Sequence, residues 1–253
     1  MIASSTLFST FVQPDWPAPP NVKALQTTRL GGVSQTPYDA LNLGDHVHDN
    51  PIHVAHNRQL LSDFVPSEPV WLNQVHGTRV IDAALSSCIE SADAAFTQRK
   101  EVVCVTMTAD CLPVLVCDTQ GTMVAAIHAG WRSLCDGVIE QTIQTMLAQR
   151  PDLALTQLMA WLGPAIGPQA FEVGEEVRAQ FIANDSLATS AFVAKGDKWL
   201  GNLPMIARQR LNTLNIDAVF GGLECTYSNS EKYFSFRRDG VTGRMATLIW
   251  LSA

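Results

Sequence analysis

Short apolar runs follow one another between residues 70 and 128, each of strand length and each ending at a polar or turn-forming residue. Residues 70–74, 79–82, 93–97, 101–108, 112–118 and 122–128 read this way, and 101–108 and 112–118 are rich in β-branched side chains. Continuous apolar runs of this length fit strands covered on both faces. The period then changes. Leu134, Val138, Ile139, Ile143, Met146 and Leu147 fall on one helical face over residues 133–150. Asp136 and Glu140 sit near its start, where they favour the helix dipole, and Pro151 follows its end. A strand over 158–162, closed by Gly163 and Pro164, is followed by helices over 175–182 and 203–214. Residues 218–220, 233–236 and 245–251 read as the last strands, and a further helix starts at about Pro51. Strands and helices interleave without a convincing boundary, so the class is α/β (α+β) in one domain over residues 1–253.

Composition narrows the function. The chain has 253 residues, 47% of them hydrophobic and 16% charged, which suits a compact folded chain with a sizeable core. The net charge is -7 and no long run of Lys or Arg occurs, so neither a nucleic-acid groove nor an anionic membrane surface is expected as a partner. The apolar runs are too short to span a bilayer. The N-terminal segment lacks a basic region followed by a long apolar run and does not read as a signal peptide. Residues 13–21 carry four prolines and read as a surface lead-in. The expectation is a cytoplasmic protein whose six cysteines are free thiols.

Three residues stand where strands are expected to end: His76 in NQVHG, Cys111 in TADCLPVLV and His128 in AAIHAGWR. Side chains at strand ends converge on crevices in layered α/β proteins. Two imidazoles and a thiolate suit zinc, and three protein ligands leave a fourth position open, which is the catalytic pattern. Spacings of 35 and 17 residues form no short ligand motif. By residue chemistry alone, a buried thiol with two structural histidines explains the same sequence. His46, His48, His53 and His56 cluster and read as a polar segment leading into a helix, with metal binding as the alternative. Arg29 precedes Leu30-Gly31-Gly32, either an anion-binding turn or a solvated one. Arg237, Arg238 and Arg244, with Gly240 and Gly243, read as a hairpin turn with solvated charges.

Taken in order, TRLGGVS, LNLGDH, NQVHG, ADAAFT, TADCLPVLVCD, AAIHAGWR, LGPAIGP, FEVG and FSFRRDGVTGRMATLIWL resemble the signatures of the YfiH-type, laccase-domain-containing family, from about residue 24 to 251. Its members, formerly known as polyphenol oxidases, are now regarded as purine nucleoside phosphorylases. The resemblance implies a compact α/β domain with mixed sheets and a metal site of His76, Cys111 and His128, which are also the expected catalytic residues. Zinc is the implied ion, with copper as the alternative. The implied substrates are purine nucleosides, namely adenosine, inosine and methylthioadenosine, cleaved with phosphate, with adenosine deamination as a second activity. Arg29 is the expected phosphate ligand on charge and geometry. Asp110 either orients one of the histidines or is structural, and Arg132 either holds a carboxylate or caps its turn. A monomer or small homo-oligomer is expected. Rival readings are a cysteine-type hydrolase or amidase acting in peptidoglycan editing, a copper-dependent polyphenol oxidase, and a non-enzymatic module with structural zinc. The copper oxidase is disfavoured because such centres need more histidines than the six present.

Overall fold

Strands β7 (Leu112–Asp118) and β8 (Val124–Ala129) are buried at every residue, as their unbroken apolar sequence demands. They lie at the centre of a six-stranded sheet of order β13-β9-β7-β8-β5-β3. Its outer members are β3 (Val80–Asp82), β5 (Ala94–Thr97), β9 (Leu158–Leu162) and β13 (Ala218–Gly221). The central pairings are antiparallel, and the two edges, β13 on β9 and β3 on β5, are parallel. The structure is a computed structural model that describes residues 7–253; the first six residues of the N-terminal segment lie outside the described residues.

Side chains alternate across each strand with a period of two, so each face of the sheet has its own core. Leu112, Val114 and Val116 of β7 and Ala125 and Ile127 of β8 face the helices α3 (Val138–Gln149), α4 (Glu175–Asn184) and α5 (Leu203–Thr213). Leu115 and Cys117, with Val124 and Ala126, face a second, antiparallel sheet of order β1-β14-β6. That sheet joins β1 (Val22–Gln26), β14 (Met245–Leu251) and β6 (Cys104–Thr108). Its far face, through Leu25, Val105 and Leu248, is covered by residues around α1 (Pro51–Leu60), including Leu61 and Val65. The mixed α/β class and the free thiols agree with the sequence reading. Among the described residues, no helix is long and apolar enough to cross a membrane.

Several elements differ from the expectation. The helix over 133–150 is two: α2 (Trp131–Cys135) and α3, separated at Gly137, whose φ of 91° turns the chain in the left-handed region. Residues 233–236 do not form a strand. Tyr233 and Phe234 are buried anchors, and a short helix, α6 (Phe236–Asp239), starts at Ser235, whose hydroxyl accepts from the Arg238 N–H. The expected hairpin with solvated charges is therefore a helical turn pinned to the core. Three short strands went unpredicted: β10 (Glu172–Val173), β11 (Phe192–Lys195) and β12 (Lys198–Gly201), the last two turning at Gly196 with φ 62°. β4 (Glu90–Ser91) is a fourth; it pairs in parallel with β2 (Leu72–Asn73), which lies within the strand expected over 70–74.

Candidate metal centre

Register brings distant residues together. β7 and β8 are antiparallel with Leu112 opposite Ala129 and Pro113 opposite His128, so the start of β7 lies beside the end of β8. Cys111 immediately precedes β7 and His128 is the penultimate residue of β8, which makes them spatial neighbours. β5 flanks β8 on its other side with Ala94 opposite Ile127, placing Asp93 against His128; the His128 N–H donates to the Asp93 carbonyl at 2.7 Å.

Asp93 is fully buried and organises the rest. Its carboxylate accepts from the backbone N–H groups of Val75, His76 and Gly77 at 3.3, 3.0 and 2.7 Å, which fixes the loop after β2. Within that loop His76 takes a positive φ of 59°. The same carboxylate accepts from His128 Nδ1 at 2.8 Å. That bond settles the tautomer and leaves Nε2 for the pocket, as a carboxylate–histidine pair does behind a metal. Burial opposes ionisation of Asp93, but the bonds from His128 and Gly77 outweigh it and hold the carboxyl below its ordinary range.

One donor atom from each of His76, Cys111 and His128 lies within 4.8 Å of the others. Cys111 Sγ is 3.7 Å from His76 Nε2. Tetrahedral zinc with ordinary Zn–S and Zn–N lengths sets its sulfur and nitrogen about 3.5 Å apart. The two imidazole rings meet edge to face with centroids 4.8 Å apart. A Cβ on Gly130 would fall 2.6 Å from His76 Cδ2 and 3.1 Å from Cys111 Sγ, so only glycine admits both ligands. Burial pushes the Cys111 thiol up, but the adjacent His128 and His76 outweigh it and bring it down to about 6. Burial likewise opposes the His128 cation, and the Cys111 charge and Asp93 raise it to about 9. Such a thiolate is ready to ligate. Among the described residues this is the one group of at least three His, Cys, Asp or Glu side chains arranged to hold a metal ion.

The cluster lies at the wall of a pocket of about 470 Å³ that also takes in His46, Gln74, Trp131, Arg132, Phe171, Phe236, Arg237 and Arg244. Not every expected residue arrives there. Arg29 lines a different depression, with Asp39 and Ser230. Its guanidinium is committed to the Asp39 carbonyl at 2.9 Å, the Ser230 carbonyl at 2.9 Å and the Asp39 carboxylate at 3.3 Å. Among the described residues, Asp110 makes no hydrogen bond to either histidine. Its carboxylate accepts from Thr226 Oγ1 (2.6 Å), Ser235 Oγ (3.0 Å) and the Arg237 N–H (2.6 Å), tying the Cys111 loop to α6. The orienting role expected of it belongs to Asp93, which stands in ADAAFT; the available signal was a lone carboxylate at the head of an apolar strand. Among the described residues Arg132 has no carboxylate partner; its carbonyl accepts from the Asp136 N–H at 2.8 Å where α2 ends, and its guanidinium lies 4.4 Å from the Trp131 ring at the pocket. Of the four clustered histidines, His46 alone lines the pocket.

A pocket walled by an open two-histidine, one-cysteine cluster, on a layered α/β scaffold, defines a metal-site protein with an enzyme-like crevice. Residues 23–252 match the family described as "Multi-copper polyphenol oxidoreductase laccase", and the chain belongs to that family. It is 51% identical to "Purine nucleoside phosphorylase YfiH" of Escherichia coli (strain K12) over 96% of this chain and 99% of that protein. It is 48% identical to "Purine nucleoside phosphorylase PA4543" of Pseudomonas aeruginosa, over 95% of this chain and 98% of that one. Among solved structures, Neisseria meningitidis protein NMB0706 superposes with a TM-score of 0.93 at 47% identity, covering 96% of this chain and 100% of that one.

Proposed function

We propose that this chain is a purine nucleoside phosphorylase that cleaves adenosine, inosine and methylthioadenosine with phosphate and also deaminates adenosine. The observation that carries the proposal is the open cluster of His76, Cys111 and His128 in a pocket that also presents aromatic faces and arginines. The names of its relatives support the substrate class. His76, Cys111 and His128 would hold a zinc ion, with copper the alternative, and the ion would supply Lewis acidity when bound. Asp93 keeps His128 in the tautomer that ligates and fixes the His76 backbone, so the ligands need little rearrangement on binding. Trp131, Phe171 and Phe236 line the pocket and give a purine aromatic side chains to pack against. In the reaction a phosphate oxygen bonds to C1′ as the C1′–N9 bond breaks, and the purine leaves with that electron pair and takes up a proton. The positive charge of the pocket arginines suits the anionic phosphate. Purified Cys111→Ala is expected to lose bound zinc and phosphate-dependent release of hypoxanthine from inosine while keeping its circular dichroism. Unchanged turnover in the folded variant would sink the assignment.

A second reading rests on the Cys111 thiol, held low beside His76: a cysteine hydrolase with a free thiolate nucleophile. Iodoacetamide separates the two. Under zinc ligation, Cys111 is protected until a chelator is added; a free nucleophile is alkylated at once.

A further inference from the structure

Arginines across the molecule are mostly matched to carboxylates: Arg58 to Asp45, Arg210 to Glu140, Arg238 to Asp239. The pocket differs. Among the described residues, Arg132, Arg237 and Arg244, which all line it, have no carboxylate oxygen within 4 Å, in a chain of net charge -7. Arg132 and Arg237 are exposed, whereas Arg244 is half-buried, so its unmatched charge is the most costly to hold there.

Arg244 is also the most firmly seated. Asn42 Oδ1 accepts from the Arg244 N–H at 2.8 Å, and the Arg244 carbonyl accepts from the Leu43 N–H at 3.1 Å. Its stem crosses Gly44, where an added Cβ would fall 2.7 Å from Arg244 Cγ. Nη1 donates to the Thr242 and Gly243 carbonyls, both at 3.0 Å. Nε and Nη2 have no protein partner among the described residues, and together they form the two-donor edge that grips an oxyanion bidentately. Nearby carboxylates are spent elsewhere: Asp110 on its three donors, Asp45 on Arg58 and His46. Burial and then the Arg244 charge keep His46 below its ordinary range, so at neutral pH it adds a neutral donor or acceptor on the same wall.

We infer that Arg244, with His46 beside it, forms an oxyanion subsite of the pocket and holds the inorganic phosphate that attacks C1′. The assignment rests on the phosphorylase reading for the identity of the anion, and it gives LNLGDH and GVTGR a shared purpose, since Asn42 and Gly44 seat the arginine.

Wild type, Arg244→Lys and Arg244→Gln, all zinc-loaded, are titrated with inorganic phosphate without nucleoside, with binding followed by phosphorus-31 line width. Phosphorolysis of inosine is measured in parallel. Arg244→Gln is expected to weaken phosphate binding and raise the phosphate KM by about 10- to 100-fold, the worth of a charge-assisted pair. Arg244→Lys should fall between, with zinc content and the inosine KM unchanged. Should Arg244→Gln fail to fold, Gly44→Ala, which displaces the stem, is expected to give the same loss. Phosphate binding by Arg244→Gln equal to wild type would overturn the subsite, even with phosphorolysis intact. So would wild type that binds adenosine 5′-monophosphate but not inorganic phosphate. Phosphate binding lost with Arg244, in a protein that cleaves no nucleoside, would leave the subsite standing and remove the phosphorylase reading.

Discussion

Asp93 is the residue on which the cluster turns. It spends one buried carboxylate on three backbone N–H groups of the His76 loop and on the ring of His128, so it positions two ligands from opposite sides. An amide at this position keeps the shape but replaces an acceptor oxygen with a donor facing N–H groups. Asp93→Asn is therefore expected to lower metal affinity by about 10- to 100-fold, read by competition with a chromophoric chelator. Affinity equal to wild type would mean that the ligands hold themselves. Asp110 looks equivalent in sequence, adjacent as it is to Cys111, yet it bonds to Thr226, Ser235 and Arg237. Adjacency along a chain says little about direction when the backbone at Asp110 has a φ of 87°.

At the scale of elements, the site is a product of strand register. Cys111 and His128 meet because β7 and β8 are antiparallel with Pro113 opposite His128, and Asp93 joins them because β5 pairs with the other edge of β8. The chain then turns sharply twice, at Gly130 beneath the ligands and at Gly137 between α2 and α3. The second turn is purely conformational, since a Cβ there meets no atom closer than 3.5 Å. Gly137→Ala should therefore cost only the left-handed backbone penalty, about 1–2 kcal/mol. A melting-temperature drop of roughly 2–8 °C, with metal content and turnover retained, is the expected outcome of calorimetry beside an activity assay.

Over the whole molecule, the stabilising cores and the metal cluster are separate. The three large apolar clusters lie between α1 and the three-stranded sheet, between the two sheets, and between the six-stranded sheet and the helices. The ligands sit at strand ends, with His76 exposed and Cys111 half-buried. On the proposed function, chelation is therefore expected to abolish phosphorolysis and leave far-ultraviolet circular dichroism unchanged. The melting temperature should fall only by the linkage owed to a ligand that binds the folded state. Collapse of the secondary structure on chelation would instead make the metal a structural element.

Sequence alone reached the buried central strands and the mixed α/β class, because apolar periodicity is a local property; residue chemistry left His76, Cys111 and His128 with two readings, the family-like motifs around them singled them out, and the fold groups the three side chains. Sequence also reached Arg237 and Arg244 as a basic group, but placed them on a solvated hairpin. Anchoring by Tyr233 and Phe234, the Ser235 cap and the Asp110 bonds instead draws the segment against the pocket. Arg29 shows the converse. Its glycine turn looked fit for phosphate, but long-range contacts with Asp39 and Ser230 occupy its donors. Which charges are matched and which remain free is decided by segments some 200 residues apart, as when Asn42 seats Arg244. No periodicity within one window carries that information. The sequence by itself determined which metal-ligating and basic side chains the chain carries; only the tertiary structure decided which of them line the same pocket with donors to spare.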